Sequence, residues 1–365
     1  MRILAGISGL IIIATILWDA FETVILPRRV NRRIRLTSMF YTTFWIPWSG
    51  LVMYIHNGKR REKSLSLFGP LSLLLLLVIW AAGLILSYAL ILWAIDEGVG
   101  SAANTGFWAH LYLSAATFFT LGYGDVVPTN GLGRLVSVIE AGNGFGFLAI
   151  VIGYLPVLYQ AFSRREASIS LLDARAGSPS SAVELLRRHR AEDTFDDLNR
   201  LLSEWERWSA ELLESHLSYP VLCYFRSQHD NQSWLAALTT VLDTCALVMV
   251  GVDGAPVWQA RMTFAMARHA VVDLAQVFRT KPVLDGHRDS RLSASELDRM
   301  RQILKENGIT LSDDLETERR LAELRLMYEP YVHALSDWLL MQLPPWILPP
   351  DAIDNWKTSA WGRIQ

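Results

Sequence analysis

The sequence predicts an all-α protein divided between two solvents, with a membrane-embedded first part and a helical, water-facing second part. Three observations lead there. Hydrophobic residues make up 51% of the 365 residues and the mean hydropathy is positive, which is high for a wholly soluble chain. The long apolar runs crowd into the first 160 residues, whereas from Ser163 onward charged residues recur every few positions. Through the polar part the apolar residues keep helical spacing.

Residues 4–26 are almost unbroken apolar sequence, and at about 1.5 Å rise per residue they span a hydrocarbon core of about 30 Å. The run continues to Leu26 without a small-residue cleavage pattern, so it is expected to remain as a membrane helix. Arg28, Arg29, Arg32, Arg33 and Arg35 follow, placing this end in the cytoplasm and the N-terminus outside. Residues 37–57 are aromatic-rich, broken by Pro47 and Gly50, and followed by a second basic cluster, Lys59 to Lys63. Positive charge at both ends favours a helix lying along the inner leaflet over one that crosses. Residues 69–95, opening at Gly69-Pro70 and ending at Asp96 and Glu97, should cross outward. Residues 106–119 are too short to span, and 132–161 return the chain to Arg164 and Arg165. No apolar helix carries arginines at every third position, so a voltage-sensing helix has no candidate.

The polar part reads as helices over 182–190, 195–217, 233–250, 257–278, 294–307 and 315–343. Residues 234–252 are apolar enough to cross a bilayer, but Asp243 at their centre, among Thr239, Thr240 and Thr244, marks a buried bundle helix instead. A net charge of −2 indicates no nucleic-acid partner. Cys223 and Cys245 have no spacing that suggests a disulfide framework or a zinc site. No nucleophile, metal or phosphate-binding constellation supports an enzyme, and neither a glycine-rich nucleotide turn nor a β-rich cyclic-nucleotide pocket is evident. Arg226, His229 and Asp230, and separately Arg261, Arg268 and His269, form polar groups read as solvated faces or interface contacts.

Between the last two apolar helices stands Thr120-Leu121-Gly122-Tyr123-Gly124-Asp125. A dehydrated cation needs a substitute for its water shell, which rings of backbone carbonyls supply when four chains meet at an axis. Aiming successive carbonyls along one line requires dihedrals of alternating hand, and glycine adopts the left-handed one cheaply. Gly122 and Gly124 occupy alternate positions. The carbonyls of Thr120, Leu121, Gly122 and Tyr123, with the Thr120 hydroxyl, would form the stacked sites, and Tyr123 would point outward against a surrounding wall. The short helix before them directs its C-terminal end, which carries partial negative charge, toward the bilayer centre.

Thr117 to Pro128, "TFFTLGYGDVVP", resembles the pore loop of the potassium channel family, and the resemblance covers about residues 68–161. It implies a membrane pore-loop channel domain (67–165) joined to an all-helical cytoplasmic regulatory domain (166–365), with a membrane helix and an interfacial helix before them (1–66). It implies a non-enzyme whose cofactor is permeant K+ with no organic group, a homotetramer, and membrane lipids around it. The expected location is a cell membrane of the prokaryotic inner-membrane kind, with the C-terminal domain cytoplasmic and open to an unidentified ligand. The family's usual valine is Leu121 here, the threonine before Thr120 is Phe119, and the acidic residue behind the filter is Ala116. Asp125 therefore needs another partner, for which Tyr112 is the candidate, and Thr117 joins Gly124 as filter support. Glu140 lies inside the last apolar helix, where burying its charge is costly. It either bonds to the pore helix or tunes gating. Family resemblance makes Gly142 a hinge; Gly142 and Gly146 also fit a close-packing spacing, and Pro156 offers a second kink. Asp19 and Glu22 are expected to pair with the arginines at 28–35.

Overall fold

The computed structural model describes residues 1–26, 36–95, 106–190, 195–229, 231–283, 290–350 and 352. Every extended element among them is helical, and no strand forms beyond an isolated antiparallel bridge between Val252 and Leu311. Arg28 to Arg35, Asp96, Glu97 and Asp230 lie outside the described residues. The chain divides into two compact units, Met1–His56 with Leu67–Gln160, and Asn57–Ser66 with Ala161–Gln365.

Unit 1 contains α1 (Arg2–Ala20), which widens into a π turn at Phe21–Ile25, and α2 (Leu36–Met53). It also holds most of α3 (Gly58–Ile95), all of α4 (Phe107–Phe118) and the first part of α5 (Gly131–Ala176). The α1 segment, α3 and α5 are long and apolar enough to cross a bilayer, and α2 is not among the helices that meet this test. α1 packs on α3 through small residues: a Cβ on Gly9 would come 2.6 Å from the Ser87 carbonyl, and one on Gly83 the same distance from Ile16. Asp19 accepts from the Thr37 hydroxyl at 2.6 Å and the Thr37 N–H at 3.3 Å, which satisfies a backbone donor in the first turn of α2. Glu22 accepts from the Trp18 indole at 2.7 Å.

Two helices are longer than their sequence pattern suggests. α3 begins at Gly58 rather than Gly69-Pro70, and α5 continues past Arg164-Arg165 to Ala176. Pro70 is accommodated inside α3 with one backbone bond lost, because proline has no N–H to give the Ser66 carbonyl. Beyond Arg165, buried Ile169, Leu172 and Ala176 keep the helical stripe going.

Unit 2 is a helical bundle of α6 (Ala182–Arg188), α7 (Asp196–Ser218), a 3-10 turn (Pro220–Tyr224), α8 (Trp234–Gly251), α9 (Val257–Val277), α10 (Ala294–Glu306), α11 (Leu315–Leu326) and α12 (Glu329–Leu339). α8 is apolar enough to cross a membrane, yet all of it except Met249 and Gly251 is buried, with α6, α7, α9, α11 and α12 packed around it. Asp243 explains the choice. Its carboxylate takes Arg291 at 2.7 Å and the Tyr328 hydroxyl at 2.5 Å, and Arg291 also reaches Glu329 at 3.2 Å. The expected helix 315–343 is in fact two, broken at Tyr328 because Pro330 cannot donate to the Leu326 carbonyl.

At the end of α7, His216 Nδ1 lies 2.9 Å from the Leu212 carbonyl and Nε2 lies 3.1 Å from Arg165 Nη1. A carbonyl only accepts and a guanidinium only donates, so Nδ1 carries the proton and the ring is neutral. Burial, followed by the neighbouring Arg165 charge, holds the His216 pKa well below its ordinary value. The unfolded histidine protonates near pH ~6.5. The stability this ring contributes is therefore complete above that pH and is lost as pH falls, by up to ~1.4 kcal/mol per pH unit. Denaturant titration in detergent should show the native chain losing more stability between about pH 7.5 and 5.5 than His216→Gln. Equal losses would remove the ring from this account.

Candidate functional site

The site begins where α4 ends. The Thr120 N–H donates to the Thr117 carbonyl at 3.0 Å and the Leu121 N–H reaches back to Ala116 at 2.7 Å. That is the bond pair of a helix stop whose left-handed residue is usually glycine. Here it is Thr120, at φ 56°, a conformation costing a β-branched residue on the order of 1–2 kcal/mol. Gly122 follows at φ 61° and Gly124 at φ 76°, while Leu121 and Tyr123 between them keep negative φ. The hand of the backbone thus alternates over five successive residues, as a line of stacked carbonyls requires.

The hexapeptide is braced from behind. The Tyr112 hydroxyl of α4 lies 3.1 and 3.2 Å from the two Asp125 carboxylate oxygens. Val126 packs on the buried pair Leu92 and Leu113. Asn130 caps α5 by accepting from the Gly133 N–H at 2.6 Å, and its amide donates to the Ile95 carbonyl at 3.0 Å.

One face of α5 is fastened to its neighbours. Glu140 is fully buried and bonded to Ser114 of α4, whose hydroxyl is also 2.7 Å from the Ile85 carbonyl of α3. One helical step on, the Asn143 amide donates to the Tyr88 hydroxyl at 2.5 Å. A Cβ on Gly144 would collide with the Phe118 carbonyl at the end of α4. Gly142 and Gly146, by contrast, have nothing within 4 Å of a built Cβ, so the close approach within the chain belongs to the middle glycine of the three. Pro156 sits inside α5.

Residues 73–160, which take in most of α3, α4, the hexapeptide and α5 to Gln160, match the family model described as "Ion channel". They are a pore-loop ion-channel domain. The chain is also 24% identical over 233 residues to the "uncharacterized membrane protein YdjJ" of Bacillus subtilis (strain 168), covering 60% of this chain and 67% of that one. No solved structure matches it. The protein is thus a membrane protein carrying an ion-channel domain.

Several residues that build the channel domain were given no role of their own from sequence: Ser114 and Tyr88, and Asn143 and Gly144 of the α5 glycine cluster. A signal existed for the first. A buried carboxyl on α5 needs a polar partner, and with Tyr112 assigned to Asp125 the remaining α4 hydroxyls are Ser114 and Thr117. Ser114 faces Glu140, while Thr117 contributes its carbonyl to the helix stop. Glu140→Gln keeps the side-chain volume and a partner for Ser114, whereas Glu140→Ala leaves a hole and cuts the α5–α4 bond, Ser114 keeping only the Ile85 carbonyl. Ion flux in the glutamine variant should stay within about threefold of the native chain, and in the alanine variant fall by about tenfold or more. Equal flux in both would show that the α5–α4 link is dispensable.

Proposed function

We propose that the chain is one subunit of a homotetrameric potassium channel in a cell membrane, conducting K+ passively. The carbonyls of Thr120, Leu121, Gly122 and Tyr123, with the Thr120 hydroxyl, replace the ion's water shell. The observation that carries the reading is the alternating backbone at Thr120, Gly122 and Gly124 inside the channel domain.

The tetramer follows from a count. Each chain holds one hexapeptide, and a carbonyl cage needs four around an axis. Burial supports it, because Tyr123 is 72% and Leu121 55% exposed in the single chain, so the wall behind Tyr123 must come from a neighbour. The apolar Val138, Phe145 and Ile152 of α5 are exposed as well, as expected of a helix facing lipid, sister subunits and the pore. The end of α4 points its partial negative charge at the filter. Glu140, Gly142, Gly146 and Pro156 are the gating candidates on α5, and unit 2 is the cytoplasmic part that biases opening when it binds a ligand.

The test is ion flux through the purified full-length protein in liposomes bearing outward potassium or sodium gradients. Uptake of tracer rubidium driven by potassium, with none driven by sodium, supports the reading. Equal uptake makes the protein an unselective cation channel. Its absence under both gradients rejects conduction.

A further inference from the structure

Within unit 2, the short segment Pro220–Arg226 bonds to both α3 and α5, the helices on either side of the pore loop. Arg165, about three turns before the end of α5, is 3% exposed. Its guanidinium donates to the Leu222 and Phe225 carbonyls at 2.8 Å each and to His216 at 3.1 Å, with Glu166 as its counter-ion at 2.9 Å. Three acceptors on a planar fork hold α5 in one orientation. The neighbouring Arg226 is also buried. It lies 3.2 Å from Glu62 in the opening turns of α3 and donates to the Leu339 and Leu340 carbonyls at the end of α12, at 2.5 and 3.1 Å. The segment therefore takes α5 on its backbone carbonyls, α3 on a side chain, and α12 on the same side chain.

Each gripped helix has a weak point between two and three turns away, at Pro70 on α3 and Pro156 on α5. Pro70 leaves the Ser66 carbonyl of α3 without its helical donor, and Pro156 does the same to Ile152 in α5. Unit 1 begins on α3 at Leu67 and ends on α5 at Gln160, so both prolines fall just inside it. A grip joined to a hinge by two turns of continuous helix, repeated on the two helices, is an arrangement able to pass a displacement onward.

We propose that Pro220–Arg226 is the coupling element of the channel, through which movements of α7 and α12 reset the ends of α3 and α5 together. Arg165 and Glu62 are its positioning residues. This rests on the channel reading given above.

The test is single-channel recording of the full-length protein in planar bilayers with symmetrical potassium chloride. Arg165→Lys keeps the charge and loses the fork, while Glu62→Gln keeps the shape and loses the charge. Each should change open probability by about fivefold or more, leaving unit conductance and potassium selectivity as in the native chain, which loss of folding could not do. A third variant carries cysteines in place of Phe162 and Phe225, whose rings are 5.6 Å apart. Oxidation should drive its open probability to one limit and reduction restore it, with the single-cysteine proteins unaffected. The reduced protein is its own folded control, so this pair decides if an arginine variant fails to assemble. Native open probability in Arg165→Lys, in Glu62→Gln and in the oxidised pair would make the segment a static anchor and overturn the proposal. A native chain that passes no ions would instead overturn the channel reading, and the proposal with it.

Discussion

Gly122→Ala is expected to abolish potassium flux or remove its selectivity while the subunits still assemble. Nothing lies within 4 Å of a Cβ built on Gly122, so a methyl group meets no obstacle in its own chain. The cost is in the backbone, held at φ 61°, which an alanine disfavours by on the order of 1–2 kcal/mol. In the proposed ring of four this would recur in every subunit, and relief requires the peptide plane to turn its carbonyl out of line. Thr120 bears a similar φ because two backbone bonds to α4 hold it there, whereas none to Gly122 has been found among the described residues. Rubidium flux together with size-exclusion or cross-linking analysis checks both halves. Native selectivity in an assembled Gly122→Ala channel would remove the hexapeptide from the conduction path.

The largest stability loss should come from Asp243→Ala, in the core of unit 2. Burial alone opposes the Arg291 charge, and Asp243 beside it reverses this and raises the Arg291 pKa above its ordinary value. Tyr328 is pushed well above its own, first by burial and then by the same carboxylate. Without that carboxylate, Arg291 keeps Glu329 and the Pro344 carbonyl, but a buried cation and a buried phenol each lose a partner. Breaking one side of a buried pair costs about 3–5 kcal/mol, a shift on the order of 10 °C for a domain of this size. Thermal unfolding in detergent should show it. Asp243→Leu combined with Arg291→Met should recover much of the loss, since a packed apolar pair leaves no stranded charge. A melting temperature within 2 °C of native for Asp243→Ala, about the effect of 1 kcal/mol or less, would contradict this.

The parts of the fold that could be read from sequence were those set by local chemistry. Apolar run lengths mark α1, α3 and α5; Asp243 distinguishes α8 from a membrane span; and the need for an Asp125 partner points to Tyr112 because Ala116 has no carboxyl. The parts that could not be read depend on partners distant in sequence. Glu62 lies in a cluster otherwise made of lysine and arginine, and its value comes from Arg226, more than 160 residues away. Arg165 reads as a membrane-boundary arginine, and only packing turns it inward onto Leu222 and Phe225. Gly144 is indistinguishable from Gly142 and Gly146 until the end of α4 is placed against it. The positive φ of Thr120 contradicts the preference of a β-branched residue, so no propensity could find it. Pro70 and Pro330 carry the same chemistry with opposite outcomes, since long apolar α3 passes through one and the shorter 315–343 stretch breaks at the other.

The most direct measurement of the central claim is the reversal potential across a planar bilayer with potassium chloride on one side and an equal concentration of sodium chloride on the other. The carbonyl-ring account predicts a reversal potential far from zero, of the sign that opposes potassium flow. Currents that reverse at zero would mean that the backbone of Thr120 to Gly124 does not select the ion, and would contradict it.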